Sequence, residues 1–303
     1  MTRTRTAPYD MILLVAAAIW GFAFVAQRMG MDHMGPFAFN GVRFLMGALT
    51  LLPLMYWRAK KHSKPEGEFD TPKMLLIGGG LAGVLVFLGA STQQVGLMTT
   101  TAGNAGFITG LYLVLVPLLG LAVGQKAHPG TWVGAIVAFA GLYLLSFTDS
   151  FSMSSGDFLV LIGAFCWAVQ ILVIGWLAPK MDTIKLAFVE FLTCSLLSLA
   201  VAIAIETISW DGISGAAIPL LYGGIMSVGI AYTLQVVVQK KANAAHGALL
   251  MSLEAVFALI GGWMFLNETL SPRGAIGCGL MLAGMMLSQV WGMRKSKPLK
   301  HNY

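Results

Sequence analysis

Charge is what this sequence has least of. Of 303 residues only 13 are acidic and 19 basic, so 11% of the chain is charged where an ordinary soluble domain carries about 25%. A chain so poor in charge cannot cover itself with a water-compatible surface, and soluble, fibrous and disordered classes are excluded. Cysteine is scarce as well. Cys166, Cys194 and Cys278 each sit inside an apolar run with no CxxC spacing, so they read as small packing residues and not as a disulfide framework or thiolate metal site. The histidines, His33, His62, His128, His246 and His301, lie at ends, loops or tails, and no HExxH pair occurs. The sequence also lacks a GxxxxGK[ST] phosphate loop, which argues against direct ATP drive and leaves no cofactor or metal to expect. The longest connector, from Arg58 to Pro72, is too short to hide a soluble domain.

What the sequence has is hydrocarbon, 57% of its residues. Apolar runs bounded by charge, Gly or Pro fall at 10–29, 36–57, 73–95, 102–122, 128–147, 156–177, 185–204, 217–239, 246–266 and 271–291. Each is long enough to cross about 30 Å of hydrocarbon as a helix. Lipid offers no partner to backbone N–H and C=O groups, so helices are required. The expected fold is therefore an all-α membrane protein with ten transmembrane helices. The first run follows Arg3 and Arg5, but its length and its counterpart deep in the chain favour a retained span over a cleaved signal peptide.

With the N-terminus inside, all of the 19 Lys and Arg residues except Arg28, Arg43 and Arg273 fall on inner segments or the span ends beside them. The positive-inside rule then puts both termini in the cytoplasm of a multi-pass cell-membrane protein. The net charge of +6 belongs to short basic loops and tails beside apolar runs, so the expected partners are a lipid bilayer and a small-molecule substrate, not nucleic acid.

Self-comparison finds a repeat. The stretch from Ala18 aligns with that from Phe165 at an offset of 147, matching Trp20 to Trp167 and Phe44 to Phe191, and GNAGFITGLYLVLVPLLGLAVGQ resembles HGALLMSLEAVFALIGGWMFLNE at an offset of 143. Five spans per half is an odd number, so the second half enters the membrane from the opposite side. Residues 1–150 and 151–303 are thus read as two inverted five-helix repeats, an architecture that puts a substrate site near midplane at the repeat interface.

Trp20-Gly21 in the first span, Val42-Arg43-Phe44 in the second, Asn104 opening the fourth, Ser252-Leu253-Glu254-Ala255 in the ninth and Asn267-Glu268-Thr269-Leu270 at its end resemble the EamA-type branch of the drug/metabolite transporter superfamily. The resemblance covers the whole chain. It implies ten helices, cytoplasmic termini, and a central cavity formed mainly by the first four helices of each half, with the fifth and tenth outside. Gln125 stands at the repeat position of Glu268, a departure from symmetry.

Six Trp residues, Trp57, Trp132, Trp176, Trp210, Trp263 and Trp291, lie at span ends or in a loop, as interfacial anchors do. Trp20 and Trp167 lie near span centres, where an indole N–H needs a partner; they are candidate walls of a central site, the alternative being helix packing with an incidental hydrogen bond. Arg43, Glu190 and Glu254 are ionisable residues within spans, and a charge near the centre costs at least about 2.5–3.5 kcal/mol, so such residues face a polar interior. Inversion puts Arg43 and Glu190 at different depths, which disfavours a direct ion pair. Glu254, eight residues into its span, is a proton-coupling candidate because a carboxyl there can be protonated by burial or ionised beside a cation; Glu190 is the second candidate. A structural role, a protonated carboxyl bonding a neighbouring helix, is the alternative. Gln170, Tyr112, Tyr232 and Gln235 add polar groups at helical spacing and complete the candidate substrate-binding set. Gly79/Gly83, Gly106/Gly110, Gly120/Gly124 and Gly130/Gly134 suggest close helix approach, and Pro117 a kink in the fourth span.

The leading function is a secondary-active transporter moving a small polar or cationic metabolite by alternating access. The alternatives are an integral membrane lipid-modifying enzyme, for which only the three-residue Gly89-Ala90-Ser91 resemblance to a nucleophile turn speaks, and a channel, for which no selectivity filter is found.

Overall fold

The computed structural model describes residues 7–61, 71–124, 129–146, 153–234, 251 and 253–293. Its elements are helical: α1 (Ala7–Gly30), α2 (Pro36–Lys61), α3 (Pro72–Gly96), α4 (Ala102–Gly110), α5 (Tyr112–Gly120), α6 (Pro129–Ser146), α7 (Ser155–Leu177), α8 (Thr183–Ile205), α9 (Trp210–Gly215), α10 (Ala217–Leu221), α11 (Glu254–Leu266) and α12 (Pro272–Met293), with a π-helix at Tyr222–Ala231. Local chemistry sets the starts. Thr71, Thr101 and Ser154 accept a hydrogen bond from the amide three residues on, and Asp182 from Ile184 and Lys185. Proline occupies the first position of α2, α3, α6 and α12, where its missing N–H costs nothing.

Eight helical stretches among the described residues are long and apolar enough to cross a bilayer. The last of these is Ala217–Leu234, while α11 is a shorter apolar helix of 13 residues and α12 runs for 22. The expected spans 217–239 and 246–266 lie partly outside the described residues. Glu254 opens α11.

Two helices differ from the expectation. The fourth span breaks at Leu111, between Gly110 and Tyr112, where the Leu111 amide turns back to Ile108 O at 3.2 Å, while Pro117 is carried inside α5. Glycine at the break is a poor helix former, so the chain yields there. In the eighth span the helix widens to i→i+5 bonding for ten residues from Tyr222. Gly223, Gly224 and Gly229 let this segment lie against α2; a Cβ on Gly224 would stand 3.0 Å from Arg43 O.

The packing is reciprocal. Helix α2 packs on α8, α4 on α11, and α6 on α12. Helix α3 packs on α7 and α8, and the segment 217–234, at the corresponding place in the second half, packs on α1 and α2. Contact of α1 with α11 is matched by contact of α7 with α4 and α5. The α6–α12 pair shows the exchange atom by atom. A Cβ on Gly134 would meet Gly284 O at 2.5 Å and one on Gly284 would meet Gly134 O at 2.6 Å; Gly141 and Gly277 stand in the same relation at 2.5 and 2.8 Å. Gly134 and Gly277, and likewise Gly141 and Gly284, are separated by the 143-residue offset of the repeat.

Of the expected glycine approaches, Gly79 and Gly83 lie against α8 (Val189, Glu190 O and Thr193) and Gly106 against Ala258. Gly124 does not serve that purpose. It closes the turn after residues Leu121–Val123 with φ of 81°, a conformation that favours glycine.

Candidate functional site

The candidate substrate-binding residues singled out above converge, except Gln235, which lies outside the described residues. Glu190 on α8 is buried and accepts a 2.5 Å hydrogen bond from Gln170 Nε2 on α7. Tyr232, just beyond the π-helix, neighbours Gln170, Glu190, Cys194 and Glu254. Tyr112, the first residue after the break in the fourth span, sets its hydroxyl against the Glu254 carboxyl. Glu254 is 4% exposed, and its Oε1 has no hydrogen-bond partner among the described residues. Two carboxyls, two phenols and an amide from five spans therefore form one buried cluster.

Arg43 joins it from α2. Its guanidinium lies 4.8 Å from the Phe44 ring centre and 5.8 Å from that of Phe39, and neighbours Cys194 and Tyr232. The Nε donates to Asn40 Oδ1 at 2.9 Å, and Asn40 in turn donates to Ala90 O on α3 at 3.0 Å, so the arginine is held by a fixed amide and two ring faces. Among the described residues no ion pair joins Arg43 to Glu190; Cys194 and Tyr232 neighbour both.

The two central tryptophans take equivalent roles. Trp20 donates its indole N–H to Ser227 O in the π-helix at 3.2 Å and meets Tyr232 edge-on at 5.7 Å between ring centres. Trp167 donates to Gln93 Oε1 on α3 at 3.1 Å. Each thus reaches from the first helix of its own half to the third span of the other. An aromatic chain continues from Tyr232 through Phe191 at 5.0 Å to Phe44 at 6.0 Å. In contrast, Trp57, Trp132, Trp176, Trp210 and Trp263 are each at least half exposed, as expected of anchors. The side chain of Trp291 is outside the described residues.

Several polar residues here escaped the reading of the sequence. Gln93 Nε2 donates to Gln27 Oε1 at 3.1 Å and Gln94 Nε2 to Gln27 O at 3.0 Å; Thr109, which the sequence does offer as a polar group beside Tyr112, reaches Gln93 Oε1 through its Oγ1 at 3.4 Å. Tyr222 donates to Ile19 O at 3.0 Å. The signal was an uncharged amide inside an apolar run, as with Asn40 three residues before Arg43. Among the described residues no group of three or more His, Cys, Asp or Glu is arranged to hold a metal ion.

Trp167→Phe separates site wall from packing. It keeps the ring and removes the donor, a bond of the strength that averages about 0.6 kcal/mol and reaches about 1.7 between membrane helices. The expected result is a KM for uptake raised about three- to tenfold with the maximal rate little changed. An unchanged KM with a lower thermal unfolding temperature assigns Trp167 to packing alone.

Comparison with known proteins finds a tandem match along the chain. Residues 7–147 and residues 154–289 each match the EamA-like transporter family. An uncharacterized transporter of Archaeoglobus fulgidus is 31% identical over 280 residues, which span 92% of this chain and 84% of that protein. The uncharacterized inner membrane transporter YedA of Escherichia coli K12 is 25% identical over 284 residues, 89% of this chain and 86% of its own. A WAT1-related chloroplastic protein of Arabidopsis thaliana is 25% identical over 289 residues, 91% and 68% respectively. A crystal structure of another protein shares the fold, with a TM-score of 0.68 at 19% identity, covering 96% of this chain and 99% of that one.

Proposed function

The chain belongs to the EamA-like transporter family, and from that premise we propose that it is a secondary carrier in which two inverted five-helix halves, 1–150 and 151–303, alternately expose one buried polar site to the two faces of the membrane. It is a multi-pass membrane transporter with a small-molecule substrate. The observation that carries the finer reading is the cluster itself: Glu254, Tyr112, Tyr232, Glu190, Gln170 and Arg43 come from both halves, all buried or half-buried, beside the indoles of Trp20 and Trp167. Reciprocal packing, above all the crossed glycine contacts of α6 and α12, supports the inversion, and two tandem matches to one family support the division near residue 150.

Two carboxyls, one guanidinium and four ring systems suit a small polar or cationic metabolite, with the carboxyls and ring faces receiving a cation. Glu254 and Glu190 are the proposed proton carriers, and the basic inner segments support cytoplasmic termini.

Uptake into proteoliposomes, with a panel of amino acids, amines and nucleosides at two pH values, tests the proposal. A carrier saturates with concentration, and unlabelled substrate trapped inside accelerates entry of labelled substrate. Flux linear in concentration and indifferent to trapped substrate makes the protein a pore.

A further inference from the structure

Among the described residues, the carboxylate ties between the halves that lie away from the central cluster gather at one end of the bundle, the end at which α1 finishes. Glu206, directly after α8, accepts from the amides of Phe37 at 2.9 Å and Ala38 at 2.8 Å, the first free N–H groups of α2 after Pro36. Its own amide is held by Ala202 O at 2.8 Å. Glu268, two residues beyond α11, accepts from Ala102 at 2.7 Å and Gly103 at 3.1 Å, opening α4. It is aimed there by Asn267, whose φ of 55° turns the chain, and by the bond from its amide to Gly262 O at 3.1 Å. The backbone makes room in both places. A Cβ on Gly35 would fall on the Glu206 carboxylate and one on Gly262 on that of Glu268. At the same end Thr100 bonds Asp157 across the halves, and a recess of about 530 Å³, lined by Arg28, Asn104 and Asp157 among others, has Glu268 in its wall.

Each acid satisfies two orphan amides and opposes the positive end of a helix dipole, and each joins a helix of the first half to the second. The first half does not return the arrangement. The repeat positions of Glu206 and Glu268, at the offsets 147 and 143, are Ala59 and Gln125, neither of which carries a carboxylate. Under an inverted repeat those positions belong to the opposite end of the bundle. We propose that Glu206 and Glu268 are the gate latches of this transporter: two second-half carboxylates that hold the α1-terminal end shut on the amides of α2 and α4, with no carboxylate at the repeat-equivalent positions Ala59 and Gln125, so that the resting carrier opens away from them. The inference rests on the alternating-access reading above, since only a carrier must break such ties in each cycle.

Thr109, 6% exposed and bonded to the Gln93 network, lies between the latches and the cluster and serves as the reporter. A Thr109→Cys protein is labelled with a membrane-impermeant maleimide applied separately to right-side-out and inverted vesicles. Adding Glu206→Gln and Glu268→Gln, which turns one oxygen of each pair into a donor facing an amide, is expected to raise labelling from the latched side about tenfold and to lower it from the other. A second arm replaces the Glu206 tie with a covalent one at the same place. In a Thr109→Cys protein carrying the pair G35C and E206C, a mild oxidant is expected to suppress labelling from the latched side at least tenfold, and a reductant to restore it. Equal labelling with and without the carboxylates, or with the pair oxidised and reduced, overturns the latch and leaves the carrier reading intact. Reach of Thr109→Cys from both sides at once, whatever the state of the latch, sinks the carrier reading instead.

Discussion

Glu254→Gln is expected to insert and fold like the parent protein and to lose the pH dependence of uptake. The carboxyl is 4% exposed, with Tyr112 beside it and one oxygen lacking a partner among the described residues. A buried carboxylate must be neutralised by a proton or by a cation, and a site that alternates between those two states exchanges one for the other across the membrane. Gln keeps the shape and the hydrogen-bonding carbonyl but can neither bind nor release a proton. Uptake driven by a pH gradient should fall about tenfold or more, while exchange of substrate for substrate at equal pH changes by no more than about threefold. Glu190→Gln is the comparison. Its oxygen already accepts from Gln170 at 2.5 Å, and an amide oxygen can keep that bond, so the loss is expected to be smaller. A Glu254→Gln protein with the parent's pH profile removes this residue from coupling and leaves Glu190 as the remaining candidate.

Eight of the ten expected spans were legible because hydropathy is a property of each residue summed over about 20 of them, and lipid leaves the backbone no choice but helix. Trp20, Trp167, Arg43, Glu190 and Glu254 were legible for a related reason: a polar group in the middle of an apolar run has to meet something. What they meet was not. The Trp20 partner is the backbone carbonyl of Ser227, which no side chain announces. The widened helix at Tyr222–Ala231 has an apolar sequence with nothing to distinguish i→i+5 from i→i+4 bonding. The break at Leu111 was displaced from Pro117 because proline is tolerated within α5, whereas Gly110 weakens the helix before it. Glu206 drew no notice in the sequence and Glu268 only through the family resemblance, since the amides they meet lie at helix ends more than 160 residues away in sequence. Long-range pairing is the common element for Trp20, Glu206 and Glu268.

The largest structural effect is expected where that pairing is tightest, in α6 and α12. Gly134, Gly141, Gly277 and Gly284 meet backbone across the pair: besides the carbonyl contacts, a Cβ on Gly141 would lie 2.6 Å from Met281 N, one on Gly284 2.5 Å from Ala138 N, and one on Gly277 2.9 Å from Leu145 N. Backbone has no rotamer with which to yield, so even Ala must push the helices apart, at a cost of about 1–3 kcal/mol, and Val at any of the four should leave little folded protein. Gly279, on the same helix, has nothing within 4 Å of its Cβ position, and Gly279→Ala should be neutral or stabilising by up to about 1 kcal/mol through helix propensity. Thermal unfolding of the detergent-purified protein, followed by size-exclusion chromatography, reads all of these. The proposed inversion adds a sharper requirement. Gly134→Ala and Gly277→Ala occupy repeat-equivalent places in one self-complementary contact, as do Gly141→Ala and Gly284→Ala, so within each pair the losses should agree to about 0.5 kcal/mol. Equal costs at residues 143 apart follow from a two-fold relation between the halves and have no reason to arise without one. Unequal costs would mean that the crossed glycines mark close packing alone.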